Sequence, residues 1–160
     1  FTAGLPVYFM QIAGYLYIAN GTDPLARYNG TTMTTYTELD EPTGLTGTAT
    51  SSISAVSGVT IYGIVTALNT IGETIGSTQA TVKVSKKRDQ WNKDTDKVTW
   101  SWNAVSGAER YQLYIADTEG YEELLTSVSK EETSFTDDGT LATNPYISVP
   151  LDNTTAAPKF

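Results

Sequence analysis

Carboxylates in adjacent pairs are the residues of this sequence whose type and spacing come closest to catalytic chemistry. The pairs are Glu122-Glu123 and Glu131-Glu132, and two carboxylates that flank a sugar can hydrolyse a glycosidic bond. The chain has no cysteine and no histidine, which removes the usual general base and every Ser–His or Cys–His nucleophile. No aromatic-lined groove can be assigned to the glutamates from sequence. We therefore interpret them as surface charge and predict no catalytic residues and no enzyme.

Two acidic clusters, Asp94-Thr95-Asp96 and Asp137-Asp138-Gly139, have the spacing seen in calcium-binding loops. Hard cations take several carboxylate oxygens, but neither cluster is accompanied by the remaining ligands of a twelve-residue loop. Asp and Gly are also ordinary turn residues. We therefore predict turns at both places, with neither a metal nor another cofactor.

The aromatic residues, three Trp and ten Tyr, could stack on sugar rings. Trp100 and Trp102 share one face of a predicted strand with Val98, an alternation that favours positions in a core. Trp91 lies in the polar linker 86–97, where no pattern buries it. It is either a contact residue for a partner or a lid over the edge of a sandwich.

Composition and charge exclude further classes of protein. Only 39% of the residues are hydrophobic and 18% are charged, and the many Thr, Ser, Gly and Asn favour strands and turns over a helical bundle or a disordered tail. The net charge of −8 disfavours nucleic acid as a partner, because few cations could neutralise its phosphates. The basic cluster Lys86-Lys87-Arg88 is followed by Asp89 and is interpreted as a solvated loop.

The apolar stretch from Leu5 to Ala19 is interrupted by Pro6, Gln11 and Gly14. It is therefore interpreted as neither a signal peptide nor a membrane span, and we expect no membrane insertion. Because the sequence begins at Phe1 rather than Met, we also expect it to be an interior piece of a longer polypeptide.

Residues 1–40 are predicted to form a short β-meander. The predicted strand from Tyr15 to Ala19 ends at Asn20-Gly21, and a second Asn-Gly turn follows nine residues later at Asn29-Gly30. This dipeptide tolerates the positive φ angles of tight turns. The spacing fits strands of about five residues.

Residues 41–86 are predicted to be a first immunoglobulin-like unit, opened by Glu41-Pro42-Thr43-Gly44. The stretch from Leu45 to Ser57 suits an edge strand and a flexible loop. The stretch from Val59 to Asn69 is apolar on both faces, which predicts a central, covered strand. An alternating strand from Thr78 to Ser85 completes the unit.

Residues 87–143 are predicted to be a second unit, in which Val98 to Trp102 and Tyr111 to Ile115 alternate. Between Gly120 and Lys130, β-branched residues favour a strand over a helix. Two short strands are predicted in this part of the unit, at Glu122 to Val128 and at Thr133 to Thr136. Prolines at positions 145, 150 and 158 predict that 144–160 is an extended linker to a following domain.

The run from Lys97 to Ala108 (KVTWSWNAVSGA), followed by Tyr111-Gln112-Leu113-Tyr114, resembles the second and third strands of fibronectin type III-like domains. Tyr62, Ala67 and Asn69, followed by Gly72-Glu73-Thr74, resemble the penultimate strand of that fold and the turn after it. The resemblance implies either two trimmed domains or one sandwich assembled from both units. The core anchors that it implies are Trp100, Trp102, Tyr111 and Tyr62.

A second resemblance covers the ends of the chain. The stretches from Leu16 to Asp23 and from Arg27 to Thr32 resemble one blade of β-propeller-like proteins encoded among phage tail and virion structural genes. In those proteins a Pro-Thr-Gly-Leu start, as at Pro42 to Leu45, opens an immunoglobulin-like insert. A return similar to Asn153 to Lys159 is also seen there.

Together the two resemblances imply an all-β fold, a blade-like β-meander followed by a fibronectin type III-like β-sandwich. They imply a non-enzymatic structural protein of a phage virion, in its tail, neck or surface decoration, whose sandwich is a spacer or docking module. The implied partners are other virion proteins, further copies of the chain and host-surface glycans. The alternative is a carbohydrate-binding module of a secreted bacterial enzyme or adhesin, located outside the cell at the bacterial surface.

Overall fold

The computed structural model describes residues 1–156, which fold almost entirely as strands, turns and loops. The prediction of an all-β fold is confirmed. The described residues contain three antiparallel sheets, one near the N-terminus and two that form a sandwich. The predicted return at Asn153 to Lys159 is described only as far as Ala156, and Ala157, Pro158 and Lys159 lie outside the described residues.

The N-terminal sheet is a meander in the order β1-β2-β3-β4. The turn between its first two strands is Ala13-Gly14, whose φ angles of 49° and 83° are both positive, as a tight hairpin turn requires. The next turn is closed by Asn20, whose Oδ1 accepts the backbone N–H groups of Thr22 and Asp23. The strands are β1 (Tyr8–Ile12), β2 (Tyr15–Ala19), β3 (Ala26–Tyr28) and β4 (Met33–Thr35).

The sandwich consists of a five-stranded sheet, β12-β10-β9-β6-β7, and a three-stranded sheet, β11-β8-β5. A single 3₁₀ turn, Arg88–Gln90, lies in the linker between β7 and β8. The strands are β5 (Thr46–Ala49), β6 (Ser54–Leu68), β7 (Ala80–Val84), β8 (Val98–Ser101), β9 (Arg110–Ala116), β10 (Glu123–Ser129), β11 (Ser134–Asp137) and β12 (Asn144–Ser148).

Strands from the ranges 41–86 and 87–143 share both sheets. In the larger sheet β6 pairs with β9, and in the smaller sheet β5 pairs with β8. The buried hydrophobic residues of both ranges form one cluster. Of the two arrangements that the sequence left open, the strand pairing is that of one sandwich assembled from both ranges.

Strand β12 corrects the prediction that 144–160 is entirely an extended linker. It pairs with β10 at the edge of the larger sheet. An edge strand has one side without partners, so the missing N–H of Pro145 is tolerated there. The strand prediction between Gly120 and Lys130 is confirmed by β10.

The core is organised around Trp100, whose side chain is fully buried. Its ring lies between glycines of the two opposed sheets, Gly47 on β5 and Gly63 on β6. Beside it, Trp102 packs edge-to-face on Tyr111, with ring centroids 5.6 Å apart. Three of the four expected anchors therefore lie in the core.

Tyr62, the fourth expected anchor, is half-buried and lies outside the core cluster. The positions on either side of it, Ile61 and Gly63, are buried. Because side chains alternate between the faces of a strand, Tyr62 lies on the outer face of the larger sheet. Tyr62 is thus not a core anchor. The core positions nearest to it on β6 are its two neighbours, Ile61 and Gly63.

Candidate functional site: a clamp at the base of the sandwich and an uncharged strand

The chain enters and leaves the sandwich at the same place. Leu39, just before the sandwich, donates its backbone N–H to Thr155 Oγ1 at 2.8 Å and accepts a hydrogen bond from Asn153 Nδ2 at 2.8 Å. Asn69, at the end of β6, donates its Nδ2 to the Thr155 carbonyl at 2.9 Å. Leu39 and Thr155 are both buried. We call these four residues the clamp.

A second layer of contacts fixes the outgoing segment. The backbone N–H of Thr154 donates to the Glu73 carbonyl at 2.9 Å, and the Glu73 N–H donates to Thr154 Oγ1 at 3.0 Å. Gly72 lies so close to Thr154 that a Cβ atom there would collide with its backbone and its hydroxyl. Glycine is therefore required sterically at the turn that follows β6.

The Glu73 side chain connects this layer to the face of the larger sheet. Its Oε1 accepts hydrogen bonds from the Tyr114 hydroxyl at 2.6 Å and from the Thr66 hydroxyl. Tyr114 and Thr66 are fully buried, and burial, followed by the contact with Glu73, raises the pKa of Tyr114. The clamp is thus connected to the larger sheet by a network of hydrogen bonds.

Part of this arrangement involves residues that the sequence analysis had already singled out. Asn153 and Thr155 belong to the predicted return, and Asn69 and Glu73 belong to the stretch that resembles the penultimate strand and its turn. Leu39 was not singled out, because nothing local marks a residue whose partner is 116 positions away.

The two acidic clusters are held by the basic cluster of the linker. Asp96 is 2% exposed and forms an ion pair with Lys86. Asp137 is also 2% exposed and accepts two hydrogen bonds from Arg88, at 2.7 Å and 2.6 Å. The basic cluster, interpreted as a solvated loop, therefore forms two ion pairs: Lys86 joins the two ends of the linker, and Arg88 joins the linker to β11 of the sandwich.

Electrostatics at Asp96 follow from these contacts. The Lys86 ammonium, then the backbone N–H of Asn92, hold the pKa of Asp96 far below its usual 3.8. Asp94 and Asp138, the other acidic members of the clusters, are partly or fully exposed. Within residues 1–156, no group of three or more acidic side chains is placed to hold a metal ion.

The four glutamates of the two pairs lie in different environments. Glu122 is buried and accepts hydrogen bonds from Gln79 Nε2 and from the Gly120 N–H. Glu123, the next residue, accepts a hydrogen bond from the Thr143 hydroxyl at 2.6 Å. Glu131 and Glu132 lie in an exposed turn. Glu123 lines the same groove as Tyr121, but its neighbour Glu122 is not part of that lining.

Trp91 is a lid over the sandwich edge. It is partly buried against the core cluster, and its Nε1 donates to the Lys86 carbonyl at 3.2 Å. Its side chain also lies against Gly139. Of the two interpretations of Trp91, the geometry is that of the lid.

An open groove of about 430 Å³ lies beside the 3₁₀ turn. Its apolar floor includes Val59, Ile61 and Ile115, and its walls carry carboxylates such as Asp117. Tyr121 on its lining is 74% exposed. This groove combines an exposed aromatic side chain with acidic hydrogen-bond acceptors. None of the three tryptophans lines it.

The N-terminal sheet presents an apolar strand to the surroundings. All five residues of β1 are exposed, and Tyr8, Phe9 and Met10 are each more than 60% exposed. The first charged side chain of the sequence is Asp23, so β1 and β2 carry none. Exposed apolar surface of this kind marks interaction sites in soluble proteins.

One face of the N-terminal sheet is rich in tyrosine. By strand register, Tyr8, Met10 and Ile12 of β1 share this face with Tyr15 and Tyr17 of β2 and with Arg27 of β3. The Arg27 guanidinium lies 4.5 Å from the Tyr15 ring centroid and 5.7 Å from that of Tyr36. Tyr, Met and Arg are the residues enriched in the cores of protein–protein interfaces.

In residues 1–156, no helix is long and apolar enough to cross a membrane. No protein-family model matches the chain, and no curated protein matches it.

Proposed function

We propose that the chain is a non-enzymatic structural component of a phage particle, in its tail, neck or surface decoration, and that the sandwich is a spacer or docking module. The observation that carries the proposal is the clamp. It brings Leu39 and Thr155 into contact, so that the sandwich leaves and rejoins the chain at one point. Closely spaced ends are what allow one domain to be inserted into another fold.

Both ends of this inserted module fit the second resemblance. The start at Pro42 to Leu45 lies just after Leu39, and Asn153 and Thr155, which open the return, make the clamp contacts. The N-terminal meander, which resembles a propeller blade, precedes Leu39 of the clamp in the sequence. We propose that the sandwich is fibronectin type III-like and projects from a blade-containing body.

Mass spectrometry of purified particles of the phage that encodes the chain tests this function. We expect peptides of the sandwich in a fixed copy number relative to the major capsid protein. Labelling intact particles with a binder raised against residues 41–152 should place the module at a constant position. Absence of the chain from washed particles would contradict the proposal.

The groove supports a second candidate, a carbohydrate-binding module. An exposed Tyr121 beside carboxylates such as Asp117 offers a ring for stacking and acceptors for sugar hydroxyls. Titration with bacterial surface oligosaccharides, followed by NMR, tests it. Saturable shifts confined to the groove, lost in Tyr121→Ala and kept in Tyr146→Ala, would favour this candidate. Tyr146 is a suitable control because it is 94% exposed and does not line the groove.

A further inference from the structure

The edges of the three sheets differ in how they are protected against pairing with another chain. Exposed edges are normally protected by charge, proline, bulges or shortness. In the described structure β7 carries Lys83, β12 carries Pro145 and β11 ends at Asp137. Strand β4 has three residues and β5 has four.

Strand β1 has none of these protections. Its sequence, Tyr8-Phe9-Met10-Gln11-Ile12, contains no charge, proline or glycine. Its pairing with β2 is regular over all five residues, so no bulge twists the edge away. Within residues 1–156 no strand pairs with its outer side, which presents an open row of backbone donors and acceptors with apolar side chains on both faces.

The geometry of antiparallel pairing suits a second copy of the same strand. Directly opposed residues must lie on the same face, so a strand can pair with its own copy only around one residue that faces itself. When that residue is Met10, all five residues are paired. Tyr8 then faces Ile12, Phe9 faces Gln11, and Met10 faces Met10 of the other copy.

Charge also favours a second copy at this edge. The chain carries a net charge of −8, so two copies repel each other overall. The 22 residues before Asp23 carry no charged side chain, and pairing through β1 brings the copies together where that repulsion is weakest. Like charges placed opposite each other would destabilise such a pair.

Strand β1 presents mostly apolar side chains to the surroundings. The exposed side chains of β1 are Tyr8 at 66%, Phe9 at 64%, Met10 at 62% and Ile12 at 51%. Edge pairing places these apolar side chains beside those of the second copy, and exposed apolar surface of this kind marks interaction sites.

We propose that β1 pairs antiparallel with β1 of a second copy around Met10, which joins two four-stranded sheets into one eight-stranded sheet. This deepens the proposed function, on which it rests, because it names a copy of the chain as the partner within an assembly. The tyrosine-rich faces of both copies then lie on the same side of the joined sheet.

Sedimentation velocity of the 160-residue chain, with charge-swapped variants, tests the pairing. We expect wild type to dimerise in the micromolar range, and Met10→Glu or Met10→Lys alone to weaken the dimer at least about tenfold. Mixing the two variants should restore dimers, because the introduced charges face each other across the axis. Tyr146→Glu, on the edge strand β12, should dimerise as wild type does.

A cysteine variant gives a second readout that does not depend on dimer strength. The chain has no cysteine, so Met10→Cys introduces one thiol and should form a disulfide-linked dimer on mild oxidation, whereas Tyr146→Cys should not.

A monomeric wild type at about 100 µM, or charge variants that fail to complement each other, would overturn the pairing. If the chain is monomeric but is found in particles, only the proposed pairing is contradicted. If the chain dimerises but is absent from particles, the proposed structural role is contradicted.

Discussion

The ring of Trp100 lies directly against the backbone of Gly63 across the sandwich. A Cβ atom placed on Gly63 would come within 2.5 Å of Trp100 Cζ3, and one placed on Gly47 would come within 2.7 Å of the same atom. Neither glycine has a positive φ. They are required for space, not for backbone conformation, and the largest core side chain fits only because two strands carry no side chain beneath it.

We predict that Gly63→Ala destabilises the sandwich by about 1–3 kcal/mol, because it overpacks a filled core. Chemical denaturation measures the free energy of unfolding. The same substitution in a Trp100→Phe background should cost less, since the atoms that collide are absent from phenylalanine. A double-mutant cycle without coupling between the two positions would contradict the contact.

The alternation of residues predicted the core of the sandwich well where strands are regular. Val98, Trp100 and Trp102 were placed on one face, and all three are buried. Tyr62 was placed in the core by the resemblance, and alternation could not correct this because the stretch around it is apolar at both odd and even positions. Alternation cannot choose a face where both faces are covered.

The order of the strands explains why the sequence was compatible with either one sandwich or two. The part that resembles the penultimate strand of the fibronectin type III fold, β6, precedes the part that resembles its second and third strands, β8 and β9. The halves occur in reverse order along the chain but pair as neighbours in space. A fold whose ends lie together can be built from either order.

The clamp and the ion pairs could not be predicted from local pattern. Leu39 and Thr155 are 116 positions apart, and Arg88 and Asp137 are 49 apart. Each residue alone has an ordinary local interpretation, such as a turn or a solvated loop. Only the fold shows that these residues bind each other.

We predict that Trp102→Ala costs about 3–5 kcal/mol, as large-to-small changes of core aromatics do. Trp102 is 6% exposed and packs on Tyr111. Trp91→Ala should cost less, because Trp91 is a half-buried lid. Thermal denaturation compares the variants, and a shift of less than a couple of degrees for Trp102→Ala would show that the residue is not a core anchor.

Thr155→Val tests the clamp with little change of shape. The substitution leaves the buried N–H of Leu39 without its acceptor, and an unpaired buried donor costs about 1–3 kcal/mol. Hydrogen exchange of the Leu39 amide should accelerate along with the loss of stability. Thr81→Val, at an exposed position of β7, is the matched control. Unchanged exchange at Leu39 in Thr155→Val would mean that the clamp does not hold the ends together.

Calcium should leave the thermal stability unchanged. Asp96 and Asp137 are already neutralised by Lys86 and Arg88, and the acidic clusters lack further carboxylates close by. Melting curves in EDTA and in millimolar calcium should therefore coincide. A rise of several degrees with calcium would reveal a site that binds the native state, since such binding stabilises by mass action.

Stability should fall in acid partly through Asp96. Because its pKa is lowered in the folded chain by Lys86, the ionised carboxylate stabilises the fold above its unfolded pKa near 3.8. This contribution is lost as the pH falls through the lower, folded pKa. Asp96→Asn should therefore be less stable than wild type at neutral pH, and the difference should shrink below pH 3.8.

Urea denaturation of wild type and Asp96→Asn, from neutral pH down to about pH 2, measures that difference. Other carboxyls with lowered pKa, such as Asp23, which accepts the Thr2 N–H, are common to both chains and cancel in the comparison. Asp94→Asn is the matched control, because Asp94 is exposed and two residues away. If the difference between Asp96→Asn and wild type stayed constant across the whole range, the ion pair with Lys86 would not be the source of the stabilisation.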